Sequence, residues 1–296
     1  DARFSEILGI DVHPPRRRLR RTTFVRIEHD ESHSFVRHVV AHRPDVIVHL
    51  GVWEPHARLG TSDARKATGN YARALCDALT QLDGLSRLIV RSGLEVYGAP
   101  LQAPADEATP VAPTSTYGHM LTELEAMVND AAPRTATVTT LRFAPVIGAH
   151  VPSPLGRLLR LPVIPIDPFS KATFQVVADD DAARAVVHAA SHGIHGVVNV
   201  AAHDPTTVGA VARQGRRMVA PVVPHTWRVT ASLTTLAGAP LPDHVVELMR
   251  HGRAAASSIR DIGYLPTHST HDVIKRLYSW PSIVRITPMR PAEQVA

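Results

Sequence analysis

The chain has 296 residues, 44% of them hydrophobic and 20% charged, with a formal net charge of +5. That length buries a sizeable core, as one large domain or two small ones, and the balance is that of an ordinary globular protein. No stretch has the length and purity of a membrane-spanning helix, and the one cysteine, Cys76, excludes a disulfide framework and suits a reducing cytoplasm.

Glu6 to Val12 reads as a short buried strand ending at an acid, followed by Pro14-Pro15 and a basic cluster, Arg16-Arg17-Arg18 with Arg20 and Arg21. The cluster is either a solvated loop or a place for a phosphate-bearing ligand; no DNA- or RNA-binding motif accompanies it, so nucleic acid is not expected. Phe24 to Ile27 is a second strand, Phe35 to His42 a helix stopped near Pro44, and Val46 to Leu50 the next strand. Ala72 to Leu82 is helical, with Leu75, Leu79 and Leu82 inward. Leu88-Ile89-Val90 is a buried strand closing into the loop Arg91-Ser92-Gly93-Leu94-Glu95-Val96-Tyr97-Gly98. Ser115 or Thr116 caps a helix on which Tyr117, Leu121, Leu124 and Val128 share one face. Thr137 to Arg142 is a further strand.

Val151 to Pro168 is Pro-rich and irregular. Phe174 to Val177 leads into Asp179-Asp180-Asp181 and a helix to His192, and Val197 to Val200 is a last sheet strand. Thr206 to Met218, Asp243 to Arg250 and His271 to Leu277 are helices. Strands and helices alternating at this pace specify an α/β fold, a Rossmann-like doubly wound parallel sheet, with the composition shifting after residue 148. The expected division is 1–148 for the Rossmann-like part, 149–280 for a smaller C-terminal region with 175–203 returning to the sheet, and 281–296 as a tail.

The loop at 91–98 and the helix start at 115–121 resemble the active-site segments of the extended short-chain dehydrogenases, the NAD-dependent sugar epimerase/dehydratase family. There the strand ends in Ser-Ser/Thr-x-x-Val-Tyr-Gly and the helix carries Tyr-Gly-x-Ser-Lys-x-x-x-Glu. This chain keeps Val96-Tyr97-Gly98, Tyr117-Gly118 and Glu125. His49-Leu50-Gly51-Val52 resembles the family's His-Leu-Ala-Ala, and Leu141-Arg142 with Gly148 its Leu-Arg-x-x-Asn-x-x-Gly. Asp181 matches the acid of Val-His-Val-x-Asp, and Gly263-Tyr264-Leu265-Pro266 a Leu-Gly-Tyr-x-Pro near the C-terminus.

The resemblance implies that the smaller C-terminal region, 149–280, binds substrate, and it implies NAD(P)-dependent chemistry, epimerase- or reductase-like, on a nucleotide-linked sugar or related hydroxyl substrate, and a homodimer. Asp11 falls where an acid accepts from ribose hydroxyls, which favours NAD over NADP, although arginines 16–18 would equally grip a 2′-phosphate; the bland role of Asp11 is turn capping. Glu28 and Gly51 are the other expected cofactor contacts. The family's opening strand and Gly-x-x-Gly-x-x-Gly turn have no counterpart, so roughly thirty residues of the pattern are missing. The chain, which begins at Asp1, is therefore expected to be an N-terminally incomplete copy of a longer protein, with NAD binding conditional on the missing segment; the alternative is a remnant that has lost dinucleotide binding.

Tyr117 is the expected proton-exchanging residue, with Ser92 as the nearest hydroxyl. The helpers differ: Gly93 stands at the catalytic Ser/Thr position, Leu121 at the Lys, Pro145 at a substrate-contacting Asn, and Ala178 at a His. Without that cation the Tyr is not activated, so the expectation is an impaired site, with a non-catalytic nucleotide- or protein-binding descendant as the rival. His38/His42 and His188/His192 stand four residues apart on helices, but without the His-Glu-x-x-His form they predict no metal site.

Overall fold

The computed structural model describes residues 4–15, 19–56, 58–223, 226–236, 240–256 and 263–280. Its first half runs β1 (Leu8–Asp11), β2 (Thr23–Arg26), α1 (Ser32–His42), β3 (Val46–His49), α2 (Thr61–Leu79), β4 (Arg87–Gly93), α3 (Thr116–Ala131) and β5 (Thr137–Phe143). The second half runs β6 (Val146–Ile147), α4 (Pro154–Leu159), β7 (Val163–Ile166), β8 (Val177–Ala178), α5 (Asp179–His192), β9 (Gly196–Val200), α6 (Val208–Gln214), β10 (Met218–Pro221), α7 (Trp227–Leu236), α8 (Asp243–His251) and α9 (Thr270–Ser279).

A parallel sheet, β3-β4-β5-β9, forms the centre, registered by Ile47 opposite Leu88, Leu88 opposite Val138, and Leu141 opposite Val198. Its strands read as continuous apolar runs because both faces are covered. On one side α2 and α3 pack Leu75, Leu79, Leu121 and Leu124 against Leu88 and Val90. On the other, Ala185 and Ala189 of α5 meet Ile89, Leu141 and Val198. A separate apolar cluster joins α4, β7, α6, α8 and α9 through Leu158, Ile164, Val211, Leu248 and Ile274.

The expectation that the first strand lies buried in this sheet needs correcting. β1 pairs in parallel with β2 alone, as a two-stranded sheet, and no ladder joins it to β3 among the described residues. Both pieces share one core, in which Ile10 and Val25 pack with Ile47 and Val52. The facing edges of β1 and β3 are left unpaired, and the apolar residues there are open: Ile7 is 37%, Val48 38% and Leu50 50% exposed. An edge with unused N–H and C=O groups is the arrangement that sheets normally cover.

Other boundaries moved for local reasons. α2 begins at Thr61 rather than Ala72, because Ala64, Ala67, Thr68 and Tyr71 continue its buried stripe through Gly69 and Asn70. The Pro-rich stretch contains α4, with Pro154 in its first turn and Ser153 accepting from Gly156 N at 3.1 Å, and then β7. β7 pairs only with β10, so Pro165 and Pro221 sit in a two-stranded sheet that can forgo their missing N–H groups. α6 accordingly stops at Gln214, short of the expected Met218. α7 was not anticipated. Arginines 16–18 and the tail 281–296 lie outside the described residues. Among the described residues no helix is long and apolar enough to cross a membrane.

Candidate functional site

β4 ends at Gly93, and a single tight turn, Leu94–Tyr97, carries the chain past the start of α3. Ser115 caps α3 by accepting from Gly118 N at 3.2 Å. Asp243, at the start of α8, accepts from Thr116 N at 2.6 Å, so the C-terminal region is clamped onto the first turn of α3. A Cβ at residue 118 would run into Glu95 O; the retained glycine lets the turn and the helix approach at backbone distance.

Several motif residues prove to hold one another. Arg142 donates to Glu125 twice, at 2.9 and 2.6 Å, and lies 4.8 Å above the Tyr97 ring. Tyr97 Oη donates to Asn199 at 2.8 Å, and Asn199 donates to Ala105 O at 3.1 Å. All are buried. This bidentate, fully partnered network fixes the 94–98 turn against β5 and α3.

Tyr117 is 5% exposed, and among the described residues its hydroxyl makes no hydrogen bond. Its ring lies 4.8 Å from the His244 ring. Burial pushes its pKa far above the ordinary phenol value; Arg91 opposes this, while Glu54 and Glu95 add to it. Leu121, one turn on, is fully buried and brings no charge. Ser92 points inward with its Oγ buried and unpartnered.

Glu95 occupies the room that Gly93 leaves. A Cβ at residue 93 would lie inside contact distance of Glu95 Oε2 and 3.1 Å from Leu121 Cδ1. Glu95 is itself 5% exposed and pairs with Arg253 at 3.4 Å, and Arg253 pairs with Glu247 of α8 at 2.9 Å. The Arg253 side chain is fully buried, and its Nε has no partner. Next to this chain of charges, His244 Nε2 lies 3.1 Å from Glu54, and its Nδ1 lies 3.7 Å from Asp243, beyond hydrogen-bond range. Burial disfavours the imidazolium, but Asp243 and Glu54 outweigh it and lift the His244 pKa to about 9. Of the charges that act on Tyr117, Arg91 favours the phenolate while Glu54 and Glu95 disfavour it, and burial dominates all three.

Reading the sequence missed Glu95, Glu54, His244, Glu247 and Arg253. One signal was available for His244, a polar residue on the apolar face made by Val245, Leu248 and Met249. None was available for the pairing of Glu95 with Arg253, 158 residues apart.

The structure does not gather the expected cofactor residues with Tyr117 in any bonded network. Asp11 ends β1 and accepts from His13 N at 2.9 Å, a turn-closing bond. Glu28 pairs with Arg26 at 2.8 Å on the surface. Gly51 follows β3, where a Cβ would come within 3.1 Å of His49 Cε1 and 3.5 Å of Tyr71 Cβ. His49 is buried with its Nε2 unpartnered, and burial, aided by Arg91, lowers its pKa to about 4.

The histidines of the two pairs make other contacts. His188 and His192 stack face to face at 4.1 Å, and His38 Nδ1 bonds Ser34 O at 2.7 Å. Asp180, Asp181 and His268 lie within reach of one ion. Asp181 is already saturated, however, by Thr267 N at 2.8 Å, His268 N at 3.0 Å and Arg184, so it acts as a loop anchor at the α5 start.

The model of the NAD dependent epimerase/dehydratase family matches residues 3–202, and the chain belongs to that family. Uncharacterized proteins of Mycobacterium bovis and Mycobacterium tuberculosis are each 26% identical over 230 residues, 74% of this chain and 61% of theirs. The chain thus spans less than two thirds of the curated relatives it matches. Among solved structures, UDP-glucose 4-epimerase from Thermotoga maritima with UDP-glucose superposes with a TM-score of 0.68 at 17% identity, covering 92% of this chain and 89% of that one. UDP-glucose 4-epimerase from Brucella ovis in complex with NAD gives 0.66 at 19%, covering 87% and 84%. The Bordetella bronchiseptica enzyme WbmG with NAD and UDP gives 0.62 at 18%, covering 91% and 84%. At these identities the likeness establishes the Rossmann-type fold.

Proposed function

We propose that this member of the NAD dependent epimerase/dehydratase family is built for a nucleotide-linked sugar or related hydroxyl ligand but is impaired in the proton-coupled oxidation that Tyr117 performs in a complete site. One observation carries the reading: the space of a helper hydroxyl at Gly93 is filled by the Glu95 carboxylate, tied to a buried Arg253. A carboxylate there opposes phenolate formation at Tyr117, and Leu121 supplies no counter-charge. General acid–base help is worth ~10²–10⁴-fold, so the loss of activation forfeits much of that.

NAD is the cofactor this reading expects, since it is bound in related structures. Asp11, Glu28 and Gly51 would serve its adenosine side. The pyrophosphate needs backbone N–H groups at a Gly-rich strand-to-helix turn, and no such run occurs within residues 1–296. The open edges of β1 and β3 are where such a strand would pair. The residues present therefore fit only part of the cofactor, and no chemical step is assigned through it. A homodimer through the cleft of about 380 Å³ between α2 and α3, lined by Arg65, Gly69, Met120 and Glu123, and a cytoplasmic location complete the reading.

The test is interconversion of UDP-glucose and UDP-galactose with NAD present, followed by NMR. Negligible conversion, with UDP-glucose bound in a separate titration, is expected. Conversion at ordinary enzyme rates, on the order of 10 s⁻¹, would overturn the impaired-site reading. Absence of any nucleotide binding would favour the rival, a protein-binding descendant.

A further inference from the structure

Away from Tyr117, two arginines lie close together near the end of α9, one of them over Tyr278. Arg217 precedes β10 and Arg160 follows α4 just ahead of β7, and the strands bring them together: Met218 pairs with Val163, and Met218 N donates to Pro162 O at 3.0 Å. Arg217 Cζ lies 5.2 Å from the centre of the Tyr278 ring. Tyr278 Oη donates to Leu159 O at 3.0 Å, and Arg160 donates to Trp280 O at 2.9 Å. A side chain at Gly215 would collide with the Tyr278 ring, so the tyrosine is wedged beneath the Arg216-Arg217 turn.

The charges there are unbalanced. No ion pair of Arg217 occurs among the described residues, and its Nε is buried without a partner. The acids around the start of α9 are bonded elsewhere: Asp204 to the N–H groups of Thr270 and His271, Asp272 to Ser269, and Asp180 and Asp181 to Arg184, His268 and Arg276. Burial, and then the charge of Arg217, lowers the Arg160 pKa, as expected of two guanidiniums held close together. A buried, unpaired N–H is costly, more so on a charged group, and guanidinium forks match phosphate oxygens.

We propose that Arg217, seated on Tyr278, and the neighbouring Arg160 form a binding site for a phosphate or diphosphate group, separate from the Tyr117 site. The phosphate oxygens would accept from the open edge of Arg217, while the tyrosine ring holds the guanidinium plane in place.

Calorimetric titration of the whole protein with inorganic pyrophosphate tests this. The expected result is saturable binding that Arg217→Gln weakens at least tenfold and Arg217→Lys, which keeps the charge but not the fork, weakens less. Arg26→Gln, at a surface ion pair elsewhere, should leave it unchanged. Thermal unfolding of each variant separates lost binding from lost structure; Arg217→Lys with a parental midpoint keeps the comparison valid if Arg217→Gln unfolds. A parallel UDP titration identifies the source: weakening by the same variants means the phosphate arrives on a nucleotide, and indifference means a free anion. Absence of pyrophosphate binding at millimolar concentrations, or equal loss in Arg26→Gln, overturns the site.

Discussion

Placing a side chain at Gly93 probes the rebuilt pocket most sharply. Gly93 has φ −148°, an extended value open to any residue, so Gly93→Ala carries a steric effect and little else. The new methyl meets Glu95 Oε2 and lies 3.1 Å from Leu121 Cδ1. The end of a glutamate usually swings aside, but this one is buried and held by Arg253 at 3.4 Å. Overpacking a filled site costs ~1–3 kcal/mol. Breaking a buried ion pair outright costs ~3–5 kcal/mol; Arg253 keeps Glu247 at 2.9 Å, so the lower range applies. Urea unfolding of Gly93→Ala should show a loss of ~1–3 kcal/mol at an unchanged m-value. Gly93→Ala added to Glu95→Ala should lose far less, because the obstruction is gone. Equal losses in both backgrounds, or no loss in the parent, would show that Glu95 does not fill the space.

His244 gives a pH signature. Its folded pKa of about 9 stands above the ordinary 6.5, so its stabilising contribution is complete below 6.5 and is lost as pH rises through 9. His244→Gln should abolish that alkaline loss in unfolding titrations. His49 acts in the opposite direction: with a folded pKa of about 4 against 6.5, its contribution holds above 6.5 and is lost as pH falls through 4, an acid sensitivity that His49→Gln should reduce. If the protein binds NAD through Asp11, Asp11→Ala should weaken it by ~1–3 kcal/mol, the worth of charged hydrogen bonds; unchanged calorimetric affinity would leave Asp11 as the turn former seen at His13.

Much of the fold was written locally. Unbroken apolar runs at Ile47, Leu88 and Leu141 specify buried parallel strands, and Tyr117, Leu121, Leu124 and Val128 do occupy the inner face of α3. The break between β1 and β3 was not visible in β1 itself, because a strand's composition does not name its neighbour. β7 and β10 escaped notice because their prolines argue against a central strand and are tolerated only in small or edge pairings. In the candidate site, Gly93 and Leu121 were legible where the resemblance expects a hydroxyl and a lysine. The contacts around them were not, since Glu95, His244 and Arg253 are brought together by the packing of α8 on α3.

The most direct test of the account is a single-turnover experiment, mixing NAD-loaded protein with UDP-glucose and following reduced nicotinamide by absorbance. The account predicts bound sugar nucleotide with no reduction in the parent protein. Reduction of the parent within a second, at the ~1–10³ s⁻¹ of working enzymes, would contradict it.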